Sequence, residues 1–230
     1  MFVIQIVKEY LGRIYRWITG KPKKKFTGSK EYWESRYAKG GNSGYGSYGK
    51  LAQYKANILN DFVKMNNVSS IIEFGCGDGN QLKLSSYPKY LGFDISDISI
   101  QKCRKLFIKD TTKSFRLLSE YENETADLTL SLDVIYHLVE DEIFEDHISK
   151  LFEASQKFVI IYSSNTEENS GFAGTHIRHR EFTKWIEEHC TDWSLLKIIP
   201  NLYPYNFKYK YGSFADFYIY KKNDSENKTT

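Results

Sequence analysis

The sequence predicts an α/β protein: a doubly wound, mostly parallel sheet with helices on both faces. Three observations carry that prediction. Strand-like apolar runs alternate with helical periodicities from residue 50 to residue 189. The first strong run, "SSIIEF", passes directly into the glycine-rich "EFGCGDG" of residues 73–79. The next, "KYLGFDI", carries an acidic side chain near its end, Asp94, 21 residues after Glu73.

Taken in order, residues 1–20 place Val3, Val7, Tyr10, Ile14 and Trp17 at alternating steps of four and three. Ile4, Leu11 and Ile18 lie beside them, while Lys8, Glu9, Arg13 and Arg16 fall elsewhere. This is the pattern of an amphipathic helix. It runs into "GKPKKKFTG", a basic linker with a breaker in it. The body begins near Ser29 with the polar, helix-like "SKEYWESRYAKGGNS". A helix is predicted at 50–65, followed by the two strands quoted above. Another helix starts at Asp97, with Ile100, Cys103 and Phe107 on one face. Then come a short strand at "KSFRLL", one at "ADLTLSLDV", and a helix at 141–156 burying Ile143, Phe144, His147, Ile148, Leu151 and Phe152. A strand at "KFVIIYS", a helix at 180–189 with Phe182, Trp185 and Ile186 inward, and the strands "WSLLKII" and "ADFYIYK" complete the body. The expected organisation is an arm and linker over 1–28, one domain over 29–222 and a polar tail over 223–230.

With 230 residues, 41% of them apolar and 16% aromatic, the chain can fill one sizeable core. Charge is unevenly placed. Residues 1–30 carry eight basic side chains and one acidic one, which leaves 24 basic against 28 acidic over 31–230. A mildly acidic body argues against a nucleic-acid partner. Cys76, Cys103 and Cys190 show no CxxC spacing and no secretory pattern precedes them, so a reducing, cytoplasmic setting is expected. No apolar run approaches the roughly 20 residues of a membrane-spanning helix.

Two glycine-rich stretches compete for a ligand. "GYGSYG", residues 44–49, matches the dinucleotide pattern letter for letter, but no buried strand precedes it. "EFGCGDG" does follow a strand, where converging backbone amides and missing side chains let a ligand approach. Context favours the second, and Asp94 stands at the spacing of an acid that grips both hydroxyls of a ribose.

On these residues the chain, from about 32 to 221, resembles the class I S-adenosylmethionine-dependent methyltransferases. "IIEFGCGDG" is similar to their first motif, "YLGFDIS" to their second and "ADLTLSLDVIYHL" to their fourth. More narrowly, "RYAKGGNSGYGSYGKLAQYK", "SLDVIYHL" and "HIRHREFTKWI" resemble a bacterial subgroup associated with surface-glycan and natural-product genes. The resemblance implies seven strands in the order 3-2-1-4-5-7-6 with strand 7 antiparallel. It also implies S-adenosyl-L-methionine as cofactor. Glu73, Gly75, Cys76, Gly77, Asp94, Ile95, Ser119 and Asp133 would surround it, with Asp94 on the ribose and the amides of residues 75–79 on the amino-acid end. Around 118–120 the sequence departs from the family's usual glycine-aspartate form. "GYGSYG", with Tyr48, becomes either a lid over the cofactor or an ordinary surface loop.

His137, in "LDVIYH" at the end of the fourth strand, is the candidate general base, since imidazole titrates near neutrality; a hydrogen-bonded histidine holding the loop is the other reading. Tyr136 is expected beside the acceptor. Asp133 as a metal ligand lacks a second carboxylate at matching spacing, so no metal is expected. Cys76 reads as filler. In "THIRHR", His176, Arg178, His179 and Arg180 either grip a phosphate or carboxylate of the acceptor or pair with the body's own acids, such as Glu181 or the run 140–142. The expected function is methyl transfer to an oxygen of a small-molecule, sugar or glycan acceptor. N-methylation of a small amine and an inactive S-adenosylmethionine-binding module are the alternatives. Residues 1–25 are expected to contact anionic lipid at the inner face of the membrane, or to pack on the body or a second subunit.

Overall fold

The computed structural model describes residues 26–172, 174–205 and 212–224. The amphipathic arm predicted over 1–25 lies outside them. Two helices open the described chain, α1 (Ser29–Ala38) and α2 (Gly49–Met65). Then β1 (Ile71–Phe74), β2 (Tyr90–Asp94), α3 (Asp97–Leu106), β3 (Lys113–Leu117), β4 (Ala126–Leu132), α4 (Asp141–Glu153), β5 (Ser155–Ser163), α5 (Phe182–His189), β6 (Trp193–Ile199) and β7 (Asp216–Lys222) follow. The strands form one sheet in the order β3-β2-β1-β4-β5-β7-β6. β7 runs antiparallel to both of its neighbours, and the other pairs are parallel.

Alternation along the strands makes two cores. Ile71 of β1 and Phe158, Ile160 and Tyr162 of β5 face the side covered by α2 and α3, where Leu59, Val63, Ile100 and Cys103 pack. Ile72, Phe74, Val159 and Ile161 face the other side, against Phe144, Ile148, Leu151 and Phe152 of α4 and Phe182 and Ile186 of α5. A period of two on central strands flanked by helices with apolar stripes forces this layering. Each of these fully buried side chains contributes roughly 1.5–3 kcal/mol through burial.

Two expectations are corrected. Ile143, placed among the inward residues of its helix, is 40% exposed. The helix predicted to 156 stops at Glu153, because Ser155 already belongs to β5 and its hydroxyl bonds the Phe158 carbonyl at 2.6 Å. β6 is an edge strand whose Leu195, Leu196 and Ile198 remain exposed. Among the described residues no helix is long and apolar enough to cross a membrane.

β2 lies on one side of β1 and β4 on the other, so the chain's winding reverses between β1 and β4. Open α/β sheets bind ligands in the crevice at the carboxyl ends of such strands.

Candidate functional site

A cavity of about 220 Å³ occupies that crevice. Gly75, Cys76 and Gly77, from the loop 75–79 that leaves β1, line it. Gly75, Gly77 and Gly79 have φ of 89°, 58° and 75°, a region that favours glycine. Space demands it too: a Cβ on Gly75 would stand 2.5 Å from Val134, and one on Gly77 would stand 2.3 Å from the Ser43 hydroxyl. The loop's amides are largely committed to the protein. Gly75 and Cys76 donate to the Phe93 carbonyl at 2.7 and 3.0 Å, Gly77 to Asp94 Oδ2 at 2.9 Å, and Asp78 to Ser43 Oγ at 2.7 Å. The loop therefore offers close approach more than free donors.

Asp94, at the end of β2, is buried and lines the cavity. Ser96 N–H donates to its other oxygen at 2.9 Å, so each oxygen keeps acceptor capacity. Burial raises its pKa. Glu73 is also buried; burial pushes its pKa up to about 7, against the Tyr90 hydroxyl that donates to it at 2.6 Å. Ile95, Leu118, Leu138 and Ile143 are among its apolar lining. Leu118 rather than Ser119 reaches it. Cys76 lines the cavity with an inert thiol: Cys103 beside it and burial hold its pKa well above the ordinary value.

Asp133 follows β4 with φ +59°, and the neighbouring turn 135–137 carries Tyr136 and His137. Tyr136 OH donates to Asp133 Oδ1 at 2.8 Å. The other oxygen is held by Lys55 Nζ, from α2. Lys55 was not singled out from sequence. It is 1% exposed, sits 5.2 Å over the Tyr162 ring, and lines the cavity. The signal was present, since Leu51, Ala52, Lys55, Ala56 and Leu59 make one buried stripe, and a lysine in such a stripe needs a reason.

His137 lines the cavity and donates Nδ1–H to the His176 carbonyl at 3.0 Å, which leaves Nε2 as acceptor. Burial pushes its pKa down to about 4, so it is neutral at pH 7. Trp33 of α1 meets its ring edge-on at 4.9 Å, and His176 stacks on it at 5.2 Å. Tyr48 meets the loop through Asp78, donating at 2.7 Å, and Ser43 N–H reaches the same oxygen at 3.0 Å. "GYGSYG" thus lies against the glycine loop, with Tyr45–Ser47 as a single 3₁₀ turn.

The "THIRHR" side chains part company. Arg178 and Arg180 share Asp141, both at 2.9 Å, and also donate to the Val139 carbonyl. His179 is buried, bonded to Ser164 Oγ at 2.6 Å. Only His176 of the four lies against the rings that border the cavity.

A reversed-order sheet with an antiparallel seventh strand and a glycine loop at its switch point defines the class: this is the class I methyltransferase fold. No family model matches the chain, and no curated protein matches it by sequence. Solved structures do. The methyltransferase domain of bacterial CtHen1 is 18% identical, with a TM-score of 0.59 over 76% of this chain and 100% of that one. The magnesium protoporphyrin IX methyltransferase ChlM of Synechocystis PCC 6803, with bound SAH, is 14% identical at a TM-score of 0.61, covering 84% of this chain and 98% of that one. The N-methyltransferase NodS of Bradyrhizobium japonicum WM9, in complex with S-adenosylhomocysteine, is 12% identical at a TM-score of 0.61, covering 85% and 98%. At these identities the likeness is one of fold.

Proposed function

We propose that the chain is an S-adenosylmethionine-dependent methyltransferase acting on an oxygen of a small-molecule, sugar or glycan acceptor. The observation that carries this is how the cavity is lined in sheet order: Leu118 just after β3, Asp94 and Ile95 at the end of β2, Glu73 on β1, and Lys55 bonded to Asp133 just after β4. Adenine, ribose and an amino-acid zwitterion meet those surfaces in that order. A dinucleotide would set its phosphates against Glu73, Asp94 and Asp133, with one lysine to answer them, and it does not fit. Asp94 would accept from the ribose hydroxyls and Glu73 from the ammonium. Lys55, which spends one of three donors on Asp133, would take the carboxylate. When bound, the cofactor supplies a methyl group on a sulfonium; three of the similar structures hold that cofactor's product or the cofactor itself.

The chain's own part in transfer is positioning and exclusion of water. Trp33, Tyr37 and Ser47 border the cavity from the α1 side. The Nε2 lone pair of His137 would receive the proton of an acceptor hydroxyl as the new C–O bond forms. Its lowered pKa suits a proton taken late, once the oxygen has become strongly acidic. The similar structures are named for acceptors as different as a magnesium porphyrin and an N-methyl acceptor, so the acceptor is argued from this chain alone. Residues 1–28 would form an arm and linker, with 1–25 contacting anionic lipid at the cytoplasmic face, the body or a second subunit, and 29–222 the methyltransferase body.

The test is thermal shift, then product mass. S-adenosylhomocysteine should raise the melting temperature while NAD and ATP do not, because only a ligand of the native state stabilises it. Asp94→Ala should abolish most of that shift. Product mass spectrometry with sugars, sugar phosphates and amines then separates O- from N-methylation. Stabilisation by NAD alone would overturn the reading. Sedimentation with anionic vesicles, comparing the full chain with one starting at Thr27, tests the arm.

A further inference from the structure

α1 has almost no apolar stripe, which is unusual for a helix packed on a domain. Its rows explain why. Ser29, Trp33 and Tyr37 face the cofactor cavity, while Tyr32, Ser35, Arg36 and Lys39 face a second cleft of roughly 390 Å³ on its other side. Thr175 and His176 line that cleft from across it. The helix is a partition between two cavities, and the ring stack of Tyr32 on His176 (4.0 Å) and His176 on His137 (5.2 Å) joins them.

Arg36 is held in place within this cleft. Nε donates to the Asn42 carbonyl at 2.6 Å, Nη1 to Tyr32 OH at 3.3 Å and Nη2 to Asn42 Oδ1 at 3.4 Å, with Trp33 under the guanidinium at 5.5 Å. Three of five N–H donors are thereby committed, and each terminal nitrogen keeps one. Those two make an oriented fork, and Arg36 forms no ion pair among the described residues. Glu31, the cleft's acid, turns back onto Gly28 at the helix start. Arg178 and Arg180, by contrast, are already satisfied by Asp141.

We propose that this cleft anchors a phosphoryl group of the methyl acceptor, gripped by the Arg36 fork with Lys39 and His176 lining the same space. The proposal rests on the methyltransferase reading and sharpens it to a phosphorylated acceptor. A guanidinium fork, an ammonium and a neutral imidazole N–H around a roomy cleft suit a phosphate dianion better than a single carboxylate. The reacting oxygen would then lie past the His176–His137 step, on the cofactor side.

Pyrophosphate, titrated by calorimetry at constant ionic strength, is the probe, with malonate as the carboxylate comparator. The parent should bind pyrophosphate and bind malonate more weakly. Arg36→Gln should weaken pyrophosphate roughly tenfold or more, the range of a lost charge-assisted fork. Arg36→Lys should lose part of that, and His176→Phe, which keeps the stack, a few-fold. Lys39→Gln is exposed and tests the site without risk to folding. S-adenosylhomocysteine binding is measured on every variant and should not change, so failure of the cofactor reading and failure of the cleft are seen separately. The proposal is overturned if the parent does not bind pyrophosphate, if malonate binds equally well, or if Arg178→Gln and Arg180→Gln lower affinity where Arg36→Gln and Lys39→Gln do not.

Discussion

Asp133 carries a backbone conformation, φ +59°, that costs a non-glycine residue roughly 1 kcal/mol or more. It is held there by Lys55 on one carboxylate oxygen and Tyr136 on the other. Asp133→Asn would leave a lysine buried without a counter-charge and should lower unfolding stability by about 3–5 kcal/mol. Removing both charges, with Lys55→Met added, should recover most of that loss; urea denaturation of the two single variants and the double variant measures the coupling. Lys55→Met alone has a second readout. S-adenosylhomocysteine should bind about tenfold or more weakly, as for a lost charge-assisted bond, while methylthioadenosine, which lacks the amino-acid end, should bind as before. Equal weakening of both ligands would place Lys55 away from the carboxylate.

The elements most exposed to test are the two segments that meet over the loop. Ser43 and Asp78 exchange hydrogen bonds, Tyr48 adds a third, and Asn80 Nδ2 donates to the Ser47 carbonyl at 2.7 Å. Asp78→Asn and Ser43→Ala should loosen this clasp and speed S-adenosylhomocysteine release several-fold in stopped-flow, with little change in melting temperature. Unaltered release would make the segment an ordinary surface loop. The clasp also shows what the sequence could and could not display. The strands, α2 to α5 and the loop 75–79 were legible because each is written locally, in an apolar period or a glycine that needs positive φ. Asp94 was legible because its distance along the chain from Glu73 is fixed by the fold. Lys55 with Asp133, 78 residues apart, and Ser43 with Asp78, 35 apart, meet only through tertiary packing. Ile143 misled because an apolar residue lining a cavity obeys the same helical period as one in the core. The division of α1 between two cavities leaves no single apolar stripe to read, since aromatic rings, Trp33 and Tyr37 on one row and Tyr32 on the other, are spread over both faces among polar side chains.

On the scale of the whole molecule, the buried ionisable groups set the pH dependence of stability, and two kinds oppose each other. Glu73, raised to about 7 chiefly by burial, favours the folded state below its ordinary value near 4.5, and that contribution is lost as pH rises through 7. Asp94 is shifted in the same direction. His137 and His147, each lowered to about 4 by burial, act with the reverse sign: their stability is intact above about 6.5 and is lost as pH falls through 4. His176 and His179 are lowered as well, also by burial. Four imidazoles that resist protonation outnumber two carboxyls that welcome it, so the protein should become less stable as pH falls from 6.5 to 4.5. His147 gives the cleanest measure, because it lies on α4 bonded to Ser131 at 2.8 Å and is not among the residues assigned to the reaction. Over that window His147→Gln should reduce the slope of unfolding free energy by up to about 1.4 kcal/mol per pH unit, the value of one proton. Glu73→Gln should steepen the slope by a comparable amount. Urea unfolding at pH 5.0 and 6.5 reads both, each against the parent at the same pH. Parallel slopes for parent and His147→Gln would show that the buried imidazole is protonated in the folded protein, and the balance of charges at the core of this sheet would have to be drawn differently.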